Sequence, residues 1–219
     1  MDDNPAGTIK TIGKYSYYMQ KCLGEGSFGK VFEGFENTTR DRVAIKKVDF
    51  KTIERDAYLE KAIHDEIRIL SKFKHENIVH LHEVLNSKRS LYIIMEYCKD
   101  GDLKKYLKSK KKLSDEEAYD ILRQIIKGYQ ELAKNNTIHR DLKPANILIN
   151  QGLFKICDFG FSKVSKDPTT ALKTCVGSPI YMAPQILEKR DYSAKCDIWS
   201  LGVIYYELLH GSVPWTARN

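Results

Sequence analysis

The chain has 219 residues, of which 42% are hydrophobic and 30% charged, and its formal net charge is +7 with a pI near 9.0. This length suits one or two domains, and the ordinary globular composition argues against wholesale disorder. No apolar run approaches the ~18 residues of a membrane-spanning helix, and the N-terminus lacks the features of a signal peptide, so we predict neither.

The cysteines argue for a reducing compartment. They are odd in number and widely spaced, without a CxxC pair, at Cys22, Cys98, Cys157, Cys175 and Cys196. Such a set does not suit a disulfide framework or a zinc site. Such a compartment is the cytoplasm or the nucleus, and we expect a cytoplasmic protein.

Much of the positive charge comes from one lysine-rich run. A basic balance points to nucleic acid or an anionic surface as partner. This run has no interleaved aromatic residues, so we interpret it as the solvated end of a helix and expect no nucleic-acid partner. Its lysines are Lys104, Lys105, Lys108, Lys110, Lys111 and Lys112.

The first part of the chain is predicted to be rich in strands. Residues 1–14 are expected to form a flexible lead-in. Apolar runs alternate with glycine from Tyr17 to Val48, which indicates strands and tight turns. Apolar residues at helical spacing predict a helix over residues 57–73, and two strands are predicted over Ile78–Leu85 and Leu91–Tyr97.

The chain becomes rich in helices after a turn at Lys99–Asp102. Ser114 is predicted to begin a long amphipathic helix through a capping box, in which its hydroxyl accepts from the N–H of Glu117 and that carboxylate reaches back. The two parts are therefore predicted to be lobes joined near residues 96–101. The other predicted elements are strands over residues 146–150 and 154–156 and an apolar helix over residues 198–209.

A glycine-rich turn follows the pattern GxGxxGxV, with glycines at Gly24, Gly26 and Gly29. Glycine lets a backbone turn approach phosphate oxygens closely and offer N–H groups to them. Strands rather than a helix follow the turn, so it does not match a dinucleotide-binding fold. Glycine turns are common, and the interpretation depends on the motifs that come after.

Two charged residues are predicted to pair. On a strand through Val43, Ala44 and Lys46 point to one face and Lys47 to the other. Glu66 shares the apolar face of its helix, where a carboxylate needs a partner, and Lys46 is the natural one. Each residue taken alone also suits an ordinary strand lysine or a boundary glutamate that reaches water.

The most specific strings are HRDLKPAN, which begins at His139, and DFG, which begins at Asp158. Oxygen ligands from Asn146 and Asp158 suit Mg²⁺. Asp141 can accept a proton from a substrate hydroxyl, and Lys143 can neutralise phosphate charge. Chance does not readily produce both strings in this order behind the glycine turn.

From about Tyr17 onward the chain resembles the eukaryotic protein kinases. The resemblance implies an α+β, bilobal fold with ATP in the cleft, a small antiparallel β-rich N-lobe at about residues 15–95, a hinge at 96–101 and a mainly helical C-lobe over 102–219. It implies ATP- and Mg²⁺-dependent transfer of the γ-phosphoryl group to serine or threonine hydroxyls of protein substrates.

The resemblance also implies roles for individual residues. Asp141 is expected to be the catalytic base, with Lys143, Lys46 and Glu66 as further catalytic residues and Asn146 and Asp158 as metal ligands. The residues implied to bind ATP are Leu23, Gly24, Glu25, Gly26, Ser27, Phe28, Gly29, Lys30, Val31, Ala44, Lys46, Met95, Glu96, Cys98, Asp102 and Leu148.

The segment Gly177–Tyr181 resembles the substrate loop of serine/threonine kinases, in which Ser178 bonds Asp141 and Lys143. Thr174 resembles the activating phosphosite of the family. A phosphate there can pair with the arginine that precedes the catalytic base. An unmodified, exposed threonine is the open alternative.

The sequence departs from the family pattern near its end. Gln185 stands where the family carries glutamate, and the chain ends soon after the helix predicted over residues 198–209, so we expect a C-lobe truncated after its central helix. That helix is apolar on most faces, so we expect either that the chain is a fragment of a longer protein or that a partner covers the helix. Asp197 is expected to anchor the backbone of the HRD string. The alternative function is a non-catalytic, kinase-like binding or scaffold module. A second resemblance, to the ULK branch, rests on Asp100–Leu103, Phe159–Ser162 and Gly177–Pro184. Calcium/calmodulin-type and Aurora-type kinases share much of this combination.

Overall fold

A computed structural model describes residues 8–26, 29–54, 56–164, 172 and 174–215. The chain divides into two compact units. The first contains the chain up to Ser71 together with His80–Cys98, and the second contains Lys72–Val79 and the chain from Lys99 onward. The division after Cys98 lies inside the predicted hinge, whereas Lys72–Val79, predicted to be part of the N-lobe, belongs to the second unit.

The first unit is an antiparallel sheet with two helices. The strand order across the sheet is β1-β2-β3-β4-β6-β5. The strands are β1 Ile9–Ile12, β2 Tyr15–Gly26, β3 Gly29–Glu36, β4 Arg42–Asp49, β5 Leu81–Asn86 and β6 Ser90–Glu96, and the helices are α1 Phe50–Ile53 and α2 Ala57–Leu70. This antiparallel sheet agrees with the β-rich first part that was predicted for an α+β chain.

Strand β1 corrects one prediction. Residues 9–12 were expected to be part of a flexible lead-in, but they pair with β2 from Ile9 opposite Tyr18 to Ile12 opposite Tyr15. Ile9 is 48% exposed, and only Ile12 packs against the hydrophobic core of the sheet. A strand with one inward apolar residue has no clear alternation of apolar and polar residues, so the pattern of residues 9–12 does not predict a strand.

Each face of the sheet has its own core. One face is packed by Tyr15, Tyr17, Phe32, Val43, Ile45, Tyr92 and Ile94. The other face is packed by Val48, Ile53, Ile63, Leu91 and Ile93. Because strand side chains alternate, Lys46 shares a face with Val48, and that face carries the α2 residue Ile63. The strand period therefore directs Lys46 into the layer that α2 covers.

The second unit is mainly helical. Its helices are α3 Leu103–Lys110, α4 Asp115–Lys134, α5 Pro184–Leu187 and α6 Lys195–His210, with 3₁₀ turns at Pro144–Asn146 and Pro179–Tyr181. Its strands form two antiparallel pairs, β7 Thr137–Ile138 with β10 Lys163–Val164, and β8 Ile147–Asn150 with β9 Leu153–Ile156. The strands predicted over 146–150 and 154–156 are confirmed to within one residue.

Only one of the two hydrogen bonds predicted for the capping box before α4 is formed. The N–H of Glu117 donates to the Ser114 hydroxyl at 3.2 Å. The Glu117 carboxylate, however, accepts from the Tyr106 hydroxyl of α3 instead of reaching back to Ser114. That hydrogen bond, together with burial, raises the pKa of Tyr106 to about 12. A neighbouring helix thus supplied a partner that the local motif did not contain.

Helix α6 is apolar on most sides, as predicted. Leu201, Ile204 and Leu208 are buried, and they anchor the helix in the second unit. Its other side is exposed, and the rings of Trp199 and Trp215 stack there at 5.8 Å. The predicted exposed apolar surface is therefore confirmed, and its large exposed side chains are Ile198, Trp199, Tyr206 and Trp215. Among the described residues no helix combines the length and apolarity needed to cross a membrane.

Candidate active site

The predicted ion pair of the first unit is formed. Lys46 Nζ lies 2.7 Å from Oε1 and 2.8 Å from Oε2 of Glu66. The two side chains are 4% and 2% exposed. A buried charge is tolerated only when it is paired and hydrogen-bonded, so each residue requires the other. The prediction that Glu66 pairs with Lys46 is confirmed.

One face of the sheet collects several of the residues predicted to bind ATP. Directly opposite residues of an antiparallel pair share a face, and so do residues two apart on one strand. The register pairs Gly24 with Val31, Val31 with Lys46 and Ala44 with Met95. The shared face therefore carries Gly24, Val31, Ala44, Lys46 and Met95. Lys47 points the other way, as predicted, and pairs with Asp49 at 2.7 Å.

The glycine turn is closed by an ion pair between exposed side chains. Lys30 Nζ lies 2.9 Å from Glu25 Oε1. Position 29 requires glycine, because a Cβ there would overlap the carbonyl oxygen of Lys47. Gly26 pairs with Gly29 across the turn. Leu23 is 39% exposed at the start of the turn. Ser27 and Phe28, also predicted to bind ATP, lie outside the described residues.

The last strand of the first unit ends at predicted hinge residues. The N–H of Glu96 donates to the carbonyl of His80 at 2.9 Å, and the Glu96 carboxylate accepts from the N–H of His80 at 3.3 Å. The first bond extends the backbone pairing of β5 and β6 to His80, the residue before β5, and the second adds a side-chain bond at the same place. Cys98, two residues later, is half-buried.

Asp102 and Leu148 lie together in the second unit. They form an isolated antiparallel bridge between the start of α3 and β8. Asp102 is the N-cap of α3, and its carboxylate accepts from the N–H of Lys105 at 2.9 Å. The carboxylate thus stabilises the start of a helix, and its expected contact with the nucleotide stays a prediction.

The backbone of the HRD string is held by a buried carboxylate. Asp197 of α6 accepts from the N–H groups of His139 and Arg140, each at 2.8 Å. Burial raises the pKa of Asp197, and the charge of His139 and the two N–H bonds act against that shift. The predicted anchoring role of Asp197 is confirmed. Arg140 has a φ of 67°, so the anchored backbone turns sharply before Asp141.

Three side chains donate to the Asp141 carboxylate. Lys143 Nζ lies 2.8 Å and Asn146 Nδ2 3.0 Å from Oδ2, and the Ser178 hydroxyl donates to Oδ1 at 2.8 Å. Lys143 Nζ also donates to Ser178 Oγ at 2.8 Å. The four side chains form one closed network that fixes the orientation of the carboxylate. The expected bonds from Ser178 to Asp141 and Lys143 are confirmed.

The backbone around Ser178 requires glycine before it. Gly177 has a φ of 116°, and a Cβ there would overlap the carbonyl oxygen of Arg140. The next turn is tied to α6, because the Tyr181 hydroxyl donates to Glu207 at 2.7 Å and the Ser200 hydroxyl donates to the Tyr181 carbonyl at 2.8 Å. Burial and the Glu207 bond raise the pKa of Tyr181. Sequence reasoning did not find these two ties to α6, because no local pattern pairs residues so far apart.

Two oxygen-bearing side chains lie where a magnesium ion was predicted. The N–H of Cys157 donates to the carbonyl of Asn146 at 3.0 Å, which brings Asp158 beside Asn146. The Asn146 amide nitrogen donates to Asp141, so its amide oxygen is the atom left for a cation. Mg²⁺ takes one or two protein oxygens and completes its shell with water and phosphate. Within the described residues no group of three or more His, Cys, Asp or Glu side chains could hold a metal. The role of Asn146 and Asp158 as magnesium ligands stays a prediction.

Phe159 is buried beside the HRD string. Its ring meets the His139 ring edge-on at 5.2 Å, and the Phe73 ring stacks on it at 6.4 Å. His139 is fixed in turn by a 3.1 Å contact between Nε2 and the carbonyl of Cys157. Phe73 was missed, because the spacing of residues 57–73 assigned it to a helix that ends at Leu70. These rings hold the backbone that carries Asp158.

Thr174 is exposed, as a phosphosite must be. The Tyr192 hydroxyl donates to its carbonyl oxygen at 2.6 Å, and the backbone of Tyr192 pairs with Leu172 at 2.8 and 3.1 Å. Burial raises the pKa of Tyr192, and the nearby Arg140 side chain acts against that shift. Tyr192 therefore bonds the backbone of Thr174 and lies near Arg140.

Comparison with known proteins identifies the family. The sequence model described as Protein kinase domain matches residues 17–219. The chain is 40% identical to serine/threonine-protein kinase atg1 of Dictyostelium discoideum over 96% of its length, 39% identical to serine/threonine protein kinase OSK3 of Oryza sativa over all of it, and 37% identical to human serine/threonine-protein kinase ULK1 over 97% of it. It spans 32%, 43% and 21% of these three relatives, respectively.

These matches confirm the resemblance to the ULK branch, which atg1 and ULK1 represent, while OSK3 is about equally similar. They do not favour the alternative of a non-catalytic scaffold module, because the relatives are named as kinases and the chain keeps the paired Lys46 and the networked Asp141. A family match over more than nine tenths of the residues shows that the chain belongs to the protein kinase domain family, in its serine/threonine class.

Proposed function

We propose that this chain catalyses ATP- and Mg²⁺-dependent transfer of a phosphoryl group to serine and threonine hydroxyls of proteins. The observation that carries the proposal is the Asp141 carboxylate, which three donors hold in one orientation. A carboxylate fixed in this way is suited to accept one proton at a defined point. Family membership makes the γ-phosphate of ATP the group transferred.

The reaction step follows from the second unit's own groups. The substrate hydroxyl oxygen forms a bond to the γ-phosphorus while the bond from that phosphorus to the bridging oxygen of ADP breaks. Asp141 accepts the proton that the hydroxyl loses. Lys143 remains beside Asp141 and Ser178, where its charge opposes the negative charge on the transferred oxygens. Positioning and charge neutralisation supply most of the rate in such transfers.

The remaining predicted roles belong to the same proposal. Lys46, fixed by Glu66, is proposed to hold the α- and β-phosphates, and the sheet face with Val31 and Ala44 is proposed to contact the purine. Asn146 and Asp158 are proposed to hold Mg²⁺, which when bound neutralises phosphate charge. The oxygen-only chemistry of this pair supports the assignment.

The proposal is tested by phosphoryl transfer to matched serine, threonine and tyrosine peptides with Mg²⁺ and ATP. We expect transfer to serine and threonine peptides, and a loss of about a thousandfold or more in the Asp141→Asn variant. Asp115→Asn, on the exposed first turn of α4, makes the same chemical change away from the network and is the control. Equal activity of Asp141→Asn and the control would overturn the assignment of the base.

We further propose Thr174 as an activating phosphosite. Its exposure supports this, and so does Tyr192, which bonds the Thr174 backbone and lies near Arg140, because Arg140 can then pair with a nearby phosphate. Activity is compared before and after phosphatase treatment. We expect treatment to lower the activity of the starting chain and to leave Thr174→Ala at the lower level. A Thr174→Ala variant as active as the phosphorylated chain contradicts the proposal.

We also propose a cytoplasmic location and a protein partner on the exposed side of α6. Free thiols at Cys22, Cys175 and Cys196 support a reducing compartment. The stacked rings of Trp199 and Trp215 support a protein contact, since aromatic anchors are enriched in such interfaces. Cell fractionation tests the location, and crosslinking from position 199 tests the partner.

A further inference from the structure

The exposed side of α3 consists almost entirely of lysine. Five positions of this helix are exposed, and four of them are lysines, with Ser109 as the fifth residue. Two more exposed lysines follow directly after the helix. We call this surface the α3 lysine face, and its members are Lys104, Lys105, Lys108, Lys110, Lys111 and Lys112.

The charge of the α3 lysine face is largely unneutralised. Lys105 pairs with Asp102 at 3.3 Å, and in the described part of the chain no ion pair neutralises the other five lysines. The negative end of the helix dipole favours the last-turn lysines Lys108 and Lys110, but it does not account for Lys104. Lys104 and Lys108 stand four residues apart, where like charges repel. The face therefore carries more positive charge than the stability of the helix requires.

The lysine face is a fixed part of the second unit. The N–H of Lys111 donates to the carbonyl of Leu107 at 2.7 Å, and the N–H of Leu113 donates to the carbonyl of Leu208 in α6 at 3.1 Å. A Cβ on Gly211 would overlap the carbonyl oxygen of Lys111, so the turn after α3 packs tightly on the end of α6. The charges are thus presented together on a rigid surface.

We propose that the α3 lysine face docks this chain onto membranes that contain anionic lipids. The charge of the face is complementary to such a surface, and lysine ammonium groups bind it as point charges without a fixed geometry. The face is the outer side of a single helix, which suits a broad surface better than an extended peptide that needs a groove. It lacks the stacking residues of a nucleic-acid site, because Tyr106 is half-buried with its hydroxyl bonded to Glu117.

The test is co-sedimentation of the whole chain, without ATP, with vesicles of phosphatidylcholine alone or with about 30% phosphatidylserine at about 0.15 M salt. The variant Lys104→Gln/Lys108→Gln/Lys112→Gln removes three charges from the face and spares Lys105, the partner of Asp102. The matched control Lys51→Gln/Lys61→Gln/Lys88→Gln removes three exposed lysines of the first unit. Circular dichroism melts confirm that both variants fold.

We expect binding only to the anionic vesicles. Each lysine at such a surface contributes about fivefold to partitioning, so the face variant should bind about 100-fold more weakly while the control stays within severalfold of the parent. Equal weakening of both variants would show that net charge alone drives binding and would overturn the proposal. The proposal would also be overturned if the parent did not bind, or if it bound neutral vesicles equally well. It would be overturned as well if RNA or an acidic peptide, at equal charge concentration, displaced the parent from the vesicles. Because the assay contains no ATP, its outcome does not depend on the proposed catalysis.

Discussion

Substitution of Glu66 by leucine tests the ion pair of the first unit most directly. Lys46 Nζ lies 2.7 and 2.8 Å from the two carboxylate oxygens, and the side chains are only 4% and 2% exposed. Removing one partner of a buried pair leaves an uncompensated charge and costs about 3–5 kcal/mol. We expect Glu66→Leu to lower the free energy of unfolding of the first unit by about that amount.

The double variant Lys46→Met/Glu66→Leu separates stability from activity. Replacing a buried pair by apolar side chains of similar volume is often neutral or stabilising. We therefore expect the double variant to regain most of the stability that Glu66→Leu loses. It should remain inactive, because the amine proposed to hold phosphate is absent. The interaction energy from the double-mutant cycle should be about 3 kcal/mol.

Hydrogen exchange of the amides in β4 and α2 measures the local opening free energy where the pair lies. The two tryptophans, Trp199 and Trp215, belong to the second unit, so tryptophan fluorescence provides an internal control that should change little. If Glu66→Leu lowers the opening free energy of β4 by less than about 1 kcal/mol, the pair does not contribute as argued. The reasoning would also be refuted if the double variant lost as much stability as the single variants Lys46→Met and Glu66→Leu lose together.

Three further substitutions test other parts of the structure. Ser178→Ala removes a donor to Asp141, and we expect kcat on a serine peptide to fall about 10- to 100-fold with little change in KM for ATP; a change in that KM alone would contradict a positioning role. Gly177→Ala places a side chain at a φ of 116°, and we expect tryptophan-monitored urea unfolding to show a loss of about 1–3 kcal/mol; parent-like stability would be incompatible with the packing described. The hydrogen bond from Lys47 lowers the pKa of Asp49 below 3.8, so the stability that Asp49 contributes is present above pH 3.8 and is lost as the pH falls through its lower folded value. Asp49→Asn should therefore lose stability less steeply in acid, and an unchanged slope in pH-dependent melts would count against this assignment.

The ion pair of the first unit could be predicted because two independent periodicities agreed. The strand period turned Lys46 toward a buried face, and the helix period placed Glu66 on the apolar side of α2. A buried carboxylate must have a partner, and a lysine from another buried face can supply one. Here local pattern and the cost of burial indicated the pair without knowledge of the packing, and the neighbouring motifs argued against an ordinary strand lysine and a boundary glutamate.

The partners of other residues depended on tertiary structure. Apolar spacing predicted a helix over residues 57–73, yet α2 ends at Leu70, and Phe73 stacks on Phe159 within the second unit. Glu117 is placed for a capping box, yet its carboxylate bonds Tyr106. In both cases a competing contact formed with a segment distant in sequence, and periodicity and capping rules do not evaluate such contacts.

Helix α6 explains how separated parts of the candidate site are aligned. Asp197, near its first turn, holds the backbone that precedes Asp141, and Glu207, near its last turn, holds the Tyr181 hydroxyl. Ser178 lies three residues before Tyr181 and bonds Asp141 directly. The proposed base and the loop that follows Ser178 are thus fixed to one rigid helix. Rigid support of this kind is what an oriented catalytic group requires, since small displacements reduce the rate of a positioned reaction. This also gives a reason for a buried carboxylate in an otherwise apolar helix: the two backbone bonds that Asp197 accepts fix the catalytic segment in place.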